Sequence, residues 1–192
     1  MPLKVIGLTG TIASGKGEAK KIIVAETNAI AFSLSDLIRD EIRARGKGIT
    51  RQLMREVGAE IRENEGAGAL STHLIPFIED LDGAVVVESI RNPVEITVLR
   101  EAFKKNFVLL AVDAPFELRF KRASERDREG EKKTLEEFKE VDDRELGKGE
   151  AEAGHNIAGC LQAADYVISN DGSLDDLKKK VRGVLADLKL AK

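Results

Sequence analysis

A chain of 192 residues, of which 42% are hydrophobic and 34% are charged, is long enough to bury a core in one domain. Its net charge of −3 argues against a protein that mainly coats nucleic acid, because that task needs a basic surface. A single cysteine excludes an internal disulfide framework, and no apolar run approaches the roughly 18 residues that a membrane span needs. We therefore expect a cytoplasmic protein, a monomer or small homo-oligomer, with neither nucleic acid nor a membrane as its partner.

Five short apolar runs predict strands, in chain order at residues 3–9, 29–33, 84–88, 107–112 and 166–169. The run at 84–88 (AVVVE) is the flattest, as expected for a parallel strand that is buried on both faces. Helical patterns separate the runs. Strands that alternate with helices imply right-handed crossovers, so we predict a three-layer α/β/α fold with a parallel sheet of about five strands.

Several of the predicted helices begin at clear signals. Ser35 and Ser173 can cap two of them, Pro93 opens a third, and Thr134 forms a capping box with Glu137 at a fourth. In chain order, the helices are predicted at residues 15–26, 35–45, 50–65, 70–79, 94–103, 116–126, 134–146, 157–163 and 174–190.

A glycine-rich segment, GTIASGK at residues 10–16, connects the first predicted strand to the first predicted helix. Its G-x-x-x-x-G-K spacing in this context is typical of a phosphate-binding loop. Glycines let the backbone wrap closely around an anion. The amide N–H groups of the loop and the N-terminus of the helix favour negative charge there. Lys16 adds a full positive charge at the β- and γ-phosphates. The alternative is a glycine-rich turn with a solvated lysine. We predict that ATP binds through a set of residues in and after the loop: Gly10, Thr11, Ala13, Ser14, Gly15, Lys16, Gly17 and Glu18.

The residues after the lysine depart from many phosphate loops, in which a Ser or Thr hydroxyl ligates Mg²⁺ at that position. Here Gly17 and Glu18 follow Lys16. Magnesium would then be held by water, by other side chains and by the nucleotide. Glu18 suits the positive end of a helix dipole and lies close to the predicted phosphates. It either points outward, which we favour, or helps to hold Mg²⁺ through water.

Two segments resemble nucleoside monophosphate kinases, a family of P-loop kinases. GLTGTIASGKG at residues 7–17 resembles their phosphate loop, in which glycine commonly follows the lysine, although Glu18 stands where that family usually has Thr. FSLSDLIR at residues 32–39 resembles the segment after their second strand. The resemblance implies that Arg39 clamps the acceptor's phosphate and that Asp36 caps the helix or shapes the pocket. Without the resemblance, Arg39 would be taken for a surface arginine.

Glu88 and Arg91 follow the flattest predicted strand, in the sequence ESIR. A carboxylate at the carboxyl end of a buried strand beside a phosphate loop is placed to hold Mg²⁺ through water. Arg91 can then reach an acceptor phosphate or the transferring group, since a guanidinium makes bidentate phosphate contacts. The alternative is an ion pair between these two side chains at the end of the strand.

A group of cations that includes Arg122 and Arg126 precedes a charged stretch, RDREGEKK at residues 126–133. In P-loop kinases such arginines belong to a lid that closes over ATP and stabilises charge on the moving phosphoryl group. Arg122 and Arg126 are four residues apart and so share a helix face. We predict catalytic roles for both, in a lid at about residues 119–150. The alternative is a solvated helix face balanced by neighbouring glutamates.

The segment ADYVISNDGS at residues 164–173 resembles the final strand and loop of dephospho-coenzyme A kinase, in which the loop lies beside the adenine of ATP. This resemblance implies that Asn170 and Gly172 contribute to the ATP site. Taken in order, the motifs cover nearly the whole chain. They are similar to the P-loop kinase group that includes dephospho-coenzyme A kinase and the nucleoside and deoxynucleoside monophosphate kinases.

The kinase-like region joined to some deoxycytidylate deaminases is also similar, but the zinc signature of a deaminase is absent. Cys160 is the only cysteine, and neither His73 nor His155 has a partner at ligand spacing. We expect both histidines to be structural or exposed.

These features together predict one P-loop NTPase domain over residues 1–192, with an acceptor-binding subregion at about 34–80. The predicted activity is ATP- and Mg²⁺-dependent phosphoryl transfer to a small phosphorylated acceptor. A nucleoside or deoxynucleoside monophosphate ranks above dephospho-coenzyme A, because only the C-terminal loop favours the latter. Two alternatives remain. One is a non-catalytic nucleotide-binding module, which Gly17 and Glu18 would explain, and the other is a nucleotide-switched ATPase with a protein partner.

Overall fold

The computed structural model describes residues 2–126 and 134–190. Its strands are β1 (Lys4–Gly10), β2 (Ile30–Ser33), β3 (Ala84–Glu88), β4 (Phe107–Asp113) and β5 (Tyr166–Ser169). Its α-helices are α1 (Lys16–Thr27), α2 (Leu34–Ala44), α3 (Arg51–Glu65), α4 (Ala69–Leu74), α5 (Pro93–Phe103), α6 (Phe116–Arg126), α7 (Leu135–Glu145), α8 (Ile157–Gln162) and α9 (Leu174–Asp187). Short 3₁₀ helices lie at Ile75–Phe77 and Lys104–Asn106. Of the helices described, none has the length and apolar character to cross a bilayer.

Within the described residues, the five strands form one parallel sheet in the order β2-β3-β1-β4-β5, which confirms the predicted three-layer α/β/α fold. The central strand is β1, where Val5 pairs with Val85 of β3 on one side and with Phe107 of β4 on the other. The carboxyl ends of these three strands therefore meet at one edge of the sheet. In open α/β sheets, ligands bind outside this edge, where the strand order reverses.

Helices cover both faces of the sheet because alternate residues of a buried strand point to opposite sides. On one face, Val85 and Val87 belong to an apolar cluster with residues of α2, α3, α4 and α5. On the other face, Val86 belongs to a cluster that includes Ile23 of α1 and Val181 of α9. Every valine of β3 is therefore buried, as is usual for an inner parallel strand.

The start of α2 differs from the prediction. The helix begins at Leu34, so Ser35 lies in its first turn and is not its cap. Ser33 occupies the N-cap position, but its side chain forms no capping hydrogen bond. The Oγ of Ser33 lies 3.0 Å from the Oγ of Ser89 instead, so the hydroxyl joins the ends of β2 and β3.

Two predicted helices end earlier than expected. The helix predicted at residues 70–79 stops at Leu74 and continues as a 3₁₀ helix, because Pro76 has no N–H for the α-helical pattern. The last helix ends at Asp187, since Lys189 adopts a left-handed φ of 58° and the N–H of Leu190 closes the end on Leu185. The capping box predicted at the start of α7 is present, and Ser173 caps α9 as predicted, in a capping box with Asp176.

Candidate functional site

The phosphate-loop motif at residues 10–16 contains three residues with positive φ: Gly10 at 141°, Ala13 at 57° and Gly15 at 102°. A Cβ at Gly10 would lie 1.9 Å from the carbonyl oxygen of Val112 on β4. A Cβ at Gly15 would lie 2.2 Å from the side-chain nitrogen of Asn170. The two glycines of the motif therefore allow the loop to pack closely on the sheet edge, in addition to supplying backbone freedom.

The ends of β4 and β5 hold this loop in place. Asn170 is buried. Its side-chain amide donates a hydrogen bond to the carbonyl oxygen of Ser14 at 2.8 Å, and its backbone N–H donates one to the backbone carbonyl oxygen of Asp113 at 2.7 Å. The Asp113 carboxylate accepts a hydrogen bond from Thr11 Oγ1 at 2.6 Å. The structure thus places Thr11 and Asn170 in the scaffold of the loop, whereas Gly172 lies exposed in the turn before α9.

Lys16 begins α1, and its Nζ donates to the carbonyl oxygens of Gly10 and Thr11, each at 2.6 Å. Burial lowers the pKa of Lys16 to about 8; the Glu145 carboxylate opposes this shift, and the guanidinium of Arg91 adds to it. A poorly hydrated cation gains strongly from an anion placed beside it, which suits a phosphate. Lys16 borders a hollow of about 60 Å³, which is also lined by Glu88, Ser89, Arg91 and Glu145.

Gly17 and Glu18 follow Lys16 in the first turn of α1. Gly17 is exposed, and a Cβ there would meet no atom within 4 Å. Glu18 forms an ion pair at 2.9 Å with Lys21, three residues further along the same helix. Its carboxylate is therefore engaged on the helix surface.

Glu88 lies at the carboxyl end of β3 and borders the hollow beside Lys16. It pairs with Lys20 of α1 at 2.8 Å, so the alternative of a Glu88–Arg91 ion pair is not the arrangement observed. In the described part of the chain, no group of three His, Cys, Asp or Glu side chains is arranged to hold a metal ion. A metal at this position would need the nucleotide and water as further ligands.

A cleft of about 930 Å³ opens beside the phosphate loop, between α2, α3, the end of α7 and the segment that follows α7. Part of its wall is apolar, formed by Ile12, Leu34, Ile38, Ile49, Met54, Leu70 and Val141. Among the described residues, six arginines and three glutamates also line it: Arg39, Arg51, Arg55, Arg62, Arg91 and Arg144 with Glu63, Glu145 and Glu150. An apolar wall with an excess of cations suits a ligand that has both an apolar body and an anionic group.

The structure brings Arg39 and Arg91, two predicted acceptor-binding residues, to this same cleft. Asp36, the third, pairs with Arg39 at 2.5 Å within α2. Arg91 also borders the hollow beside Lys16, and its Nη1 lies 3.9 Å from the Glu145 carboxylate. Arg91 therefore connects the phosphate loop with the cleft.

Arg62 and Glu145 were not predicted from the sequence. Arg62 is buried on α3 and pairs at 3.1 Å with Glu95, a fully buried residue of α5. The sequence carried one relevant signal, the N-P-V-E pattern at residues 92–95, in which Asn92 and Glu95 form a capping box. That signal locates Glu95 at a helix start but does not reveal the arginine that it binds.

His155 lies in the segment after α7 and lines the cleft. It was expected to be structural or exposed, and it is partly buried, with its Nε2 3.5 Å from Arg91 Nη1. Burial lowers the pKa of His155 to about 3, and the charges of Arg91, Arg62 and Arg55 contribute to this shift. His155 is therefore a neutral side chain in a positively charged part of the cleft at neutral pH.

Arg119 of α6 links the predicted lid region to the phosphate loop. Its guanidinium binds both carboxylate oxygens of Asp142 on α7. Its Nε donates to the carbonyl oxygen of Ala114 at 2.9 Å, and its Nη1 donates to the carbonyl oxygen of Ile12 in the phosphate loop at 3.4 Å. An aromatic cluster joins the same two helices: Phe116, Phe120 and Phe138. Both helices are thereby held against the loop.

The two arginines predicted to act from the lid lie on α6. Arg122 is partly buried. Arg126 ends the helix, and its side chain, like residues 127–133, lies outside the described residues. The catalytic roles of both therefore stay predictions.

Residues 9–139 match a family model described as an AAA domain. Several curated relatives are named UPF0200 proteins. One from Halobacterium salinarum is 37% identical and covers 96% of this chain and 93% of its own length. One from Pyrococcus horikoshii is 32% identical and covers 96% of this chain and 97% of its own length. A relative from Archaeoglobus fulgidus, named UPF0200/UPF0201 protein, is 36% identical over all of this chain, which spans only 57% of that longer relative.

Solved structures with a similar fold include small-molecule kinases. TT1252 from Thermus thermophilus has a TM-score of 0.62 at 22% identity, with 98% of this chain and 99% of that chain covered. Shikimate kinase from Aquifex aeolicus has a TM-score of 0.57 at 15% identity, with the same coverage. These likenesses concern the fold, which is that of P-loop kinases. The phosphate loop, the parallel sheet and the sequence matches agree, and the chain belongs to the AAA domain family and to the UPF0200 protein family.

Proposed function

We propose that this protein is an ATP-dependent phosphotransferase that acts on a small phosphorylated acceptor, in first place a nucleoside or deoxynucleoside monophosphate. The observation that carries the proposal is the position of Arg91, which borders both the hollow beside Lys16 and the arginine-lined cleft. ATP phosphates at the loop and an acceptor phosphate in the cleft would meet at this residue. A guanidinium can contact both groups through its fork of N–H donors.

Three features of the phosphate loop support ATP binding. Lys16 is a poorly hydrated cation whose pKa is lowered to about 8. Ser14 is fully buried, and its Oγ has no hydrogen-bond partner among the described residues. Gly15 caps α1 without a side chain, so the first amide groups of the helix are left for an anion. Each feature leaves a polar group that a bound phosphate would complete.

The reaction would be direct in-line transfer. An oxygen of the acceptor's phosphate attacks the γ-phosphorus of ATP, the bond between the γ-phosphorus and the β–γ bridging oxygen breaks, and ADP leaves. Lys16 and the loop amides stabilise the negative charge on the nucleotide, and Arg91 reduces the repulsion between the two phosphates. A protein base is not needed, because a phosphate oxygen is already ionised.

The residues present fit Mg²⁺ in an indirect role. Gly17 supplies no hydroxyl after Lys16, but Glu88 borders the same hollow as the lysine. Glu88 would hold the ion through water while the nucleotide phosphates supply direct ligands, and Lys20 at 2.8 Å steadies its carboxylate. Bound in this way, Mg²⁺ supplies neutralisation of phosphate charge.

Dephospho-coenzyme A is the second candidate acceptor, because a cleft of about 930 Å³ with an apolar wall is large enough for a bulkier nucleotide. A non-catalytic nucleotide-binding module is the third candidate function, since Gly17 leaves the magnesium site without its usual hydroxyl. Similar solved structures are named shikimate kinase and gluconokinase. Shikimate and gluconate, which carry no phosphate, are therefore also tested as acceptors.

The test is acceptor-dependent ADP formation from ATP and Mg²⁺, with nucleoside and deoxynucleoside monophosphates, dephospho-coenzyme A, shikimate and gluconate as separate acceptors. We expect at least one monophosphate to stimulate ADP formation. Lys16→Ala should lower that rate by about a hundredfold or more, because it removes the charge at the β- and γ-phosphates. The matched control is Lys21→Ala, which removes an exposed lysine from the same helix.

Two results would contradict the proposal. Tight ATP binding with no acceptor-dependent ADP would favour the non-catalytic module. If shikimate or gluconate stimulates ADP formation and no phosphorylated compound does, the proposal of a phosphorylated acceptor is wrong.

A further inference from the structure

The cleft wall contains a buried arginine to which the proposed transfer assigns no role. Arg62 of α3 is 6% exposed and lines the cleft. Its Nη1 donates to the carbonyl oxygen of Gly58 and its Nη2 donates to Glu95 Oε1, both at 3.1 Å. Its Nε has no hydrogen-bond partner within residues 2–126 and 134–190. A buried guanidinium with an unused donor is unfavourable unless another group completes it.

Arg119 shows what a completed buried arginine looks like in the same molecule. It is 5% exposed, and each of its three guanidinium nitrogens donates to a protein oxygen. Its main partner, Asp142, binds through both carboxylate oxygens. Arg119 is therefore satisfied by the fold alone, whereas Arg62, which lines the cleft, has a buried Nε with no partner within the described residues.

Glu95 connects Arg62 with Arg91. It is fully buried, and while its Oε1 binds Arg62, its Oε2 accepts the backbone N–H groups of Arg91 at 2.7 Å and Asn92 at 3.2 Å. One carboxylate thus sets the position of two cleft arginines that come from different elements. A buried carboxylate with this many partners is a rigid anchor.

Among the described residues, the cleft that Arg62 lines has six arginines against three glutamates. His155 is kept neutral there by burial and then by the charges of Arg91, Arg62 and Arg55. The Glu95 carboxylate offsets part of the positive charge of Arg62, at 3.1 Å. An anion in this part of the cleft would meet several cations and a neutral imidazole, so its binding would be favoured over that of a neutral group.

We propose that Arg62 and Arg91 together bind a phosphate group of the acceptor, and that Glu95 is the positioning residue for both. The inference rests on the proposed function in taking the acceptor to be phosphorylated. The binding step itself needs neither ATP nor transfer, so it can be measured alone.

The experiment compares each nucleoside monophosphate with its parent nucleoside by isothermal titration calorimetry without ATP. The wild-type chain should bind at least one monophosphate about tenfold or more tightly than the nucleoside, because the phosphate meets two guanidinium groups. Arg62→Gln should remove most of this preference and leave nucleoside binding unchanged. Arg43→Gln is the matched control, since Arg43 is an exposed arginine that pairs with Asp40 on α2.

The phosphate preference separates a binding role from a structural one. If Arg62→Gln weakens the nucleoside and the monophosphate equally, Arg62 only supports the fold. An unchanged preference in this variant, or no preference in the wild type, overturns the inference as well. If Arg62→Gln does not fold, Arg62→Lys is the variant to test, because lysine keeps the positive charge beside Glu95 but lacks the planar set of guanidinium donors. Arg62→Lys should lose part of the preference for the monophosphate over the nucleoside.

The two proposals can fail separately. If a monophosphate binds in an Arg62-dependent way but no ADP forms, this inference is supported and the proposed transferase activity is contradicted. Acceptor-dependent ADP formation with an unchanged acceptor KM in Arg62→Lys or Arg62→Gln would keep the transferase and remove the role of Arg62.

Discussion

Asn170 and Ser14 are 156 residues apart in the chain, and the side-chain amide of Asn170 donates a buried hydrogen bond of 2.8 Å to the Ser14 carbonyl oxygen. The same side-chain nitrogen would lie 2.2 Å from a Cβ at Gly15. The conformation of the phosphate loop therefore depends on a residue near the other end of the chain. The loop is part of a scaffold formed by three strand ends, and it does not stand alone as a local motif.

Asn170→Ala should destabilise the protein and weaken ATP binding. Removing the amide leaves the Ser14 carbonyl oxygen buried without its donor, which typically costs about 1–3 kcal/mol in the free energy of unfolding. The free energy comes from urea denaturation and the ATP affinity from calorimetry. Asn64→Ala, at an exposed position of α3, is the control. Wild-type stability in Asn170→Ala would show that the loop holds its shape without this contact.

Gly10→Ala and Gly183→Ala should change stability in opposite directions. A Cβ at Gly10 meets the Val112 carbonyl oxygen at 1.9 Å and sits at positive φ, so strain of about 1–3 kcal/mol or more is expected. A Cβ at Gly183 in α9 meets nothing within 4 Å, and alanine there should stabilise the helix by up to about 1 kcal/mol. Urea denaturation midpoints measure both changes. Equal midpoints for the two variants would contradict the close packing of the loop on β4.

Binding of ATP should take up protons at mildly alkaline pH. Burial lowers the pKa of Lys16 from 10.5 to about 8, so at pH 8 about half of the Lys16 side chains in the free protein are neutral. A bound phosphate favours the charged form, and we expect uptake of about half a proton at pH 8, more at pH 9 and almost none at pH 6. Calorimetry in buffers of different ionisation enthalpy measures the uptake, after correction for free ATP. Uptake that is constant from pH 6 to pH 9 would rule out Lys16 as its source.

His155 should make the protein less stable in mild acid. Its pKa is lowered from 6.5 to about 3, so between these pH values the unfolded chain binds a proton that the folded chain does not. The free energy of unfolding therefore falls as the pH drops through this range, by up to about 1.4 kcal/mol per pH unit from this group. His155→Asn should show a shallower pH dependence than the wild type in urea denaturation. His73→Asn, which changes the exposed histidine paired with Glu65, is the control for loss of a histidine.

Elements with strong local signals were predictable. The flat apolar run of β3, the capping box at Thr134 and the phosphate loop each depend on residues that are neighbours in the sequence, so their pattern is visible there. Boundaries were less predictable. The start of α2 was misplaced because Ser33 bonds Ser89 across the sheet rather than capping the helix, and that contact depends on how two strands pair.

The candidate site divides in the same way. Lys16 and its loop could be located from their spacing between a predicted strand and a predicted helix, and Arg91 from its place after a predicted strand. Arg39 was singled out only by the resemblance to nucleoside monophosphate kinases. Arg62 and His155 could not be located, because their significance comes from burial and from partners on other elements. A buried arginine has no sequence signature that distinguishes it from a solvated arginine on a helix surface.

The amino-acid pattern was enough to locate a phosphate loop between a buried strand and a helix, because glycine spacing and a lysine act through the adjacent backbone. Which charged side chains lie close together depends instead on the packing of elements that are distant in the sequence. The crossing of α3 and α5 brings Glu95 to Arg62, and the turn after β3 brings Arg91 to the same carboxylate. Burial then excludes water from Arg62 and Glu95, and that exclusion strengthens the electrostatic interaction between them.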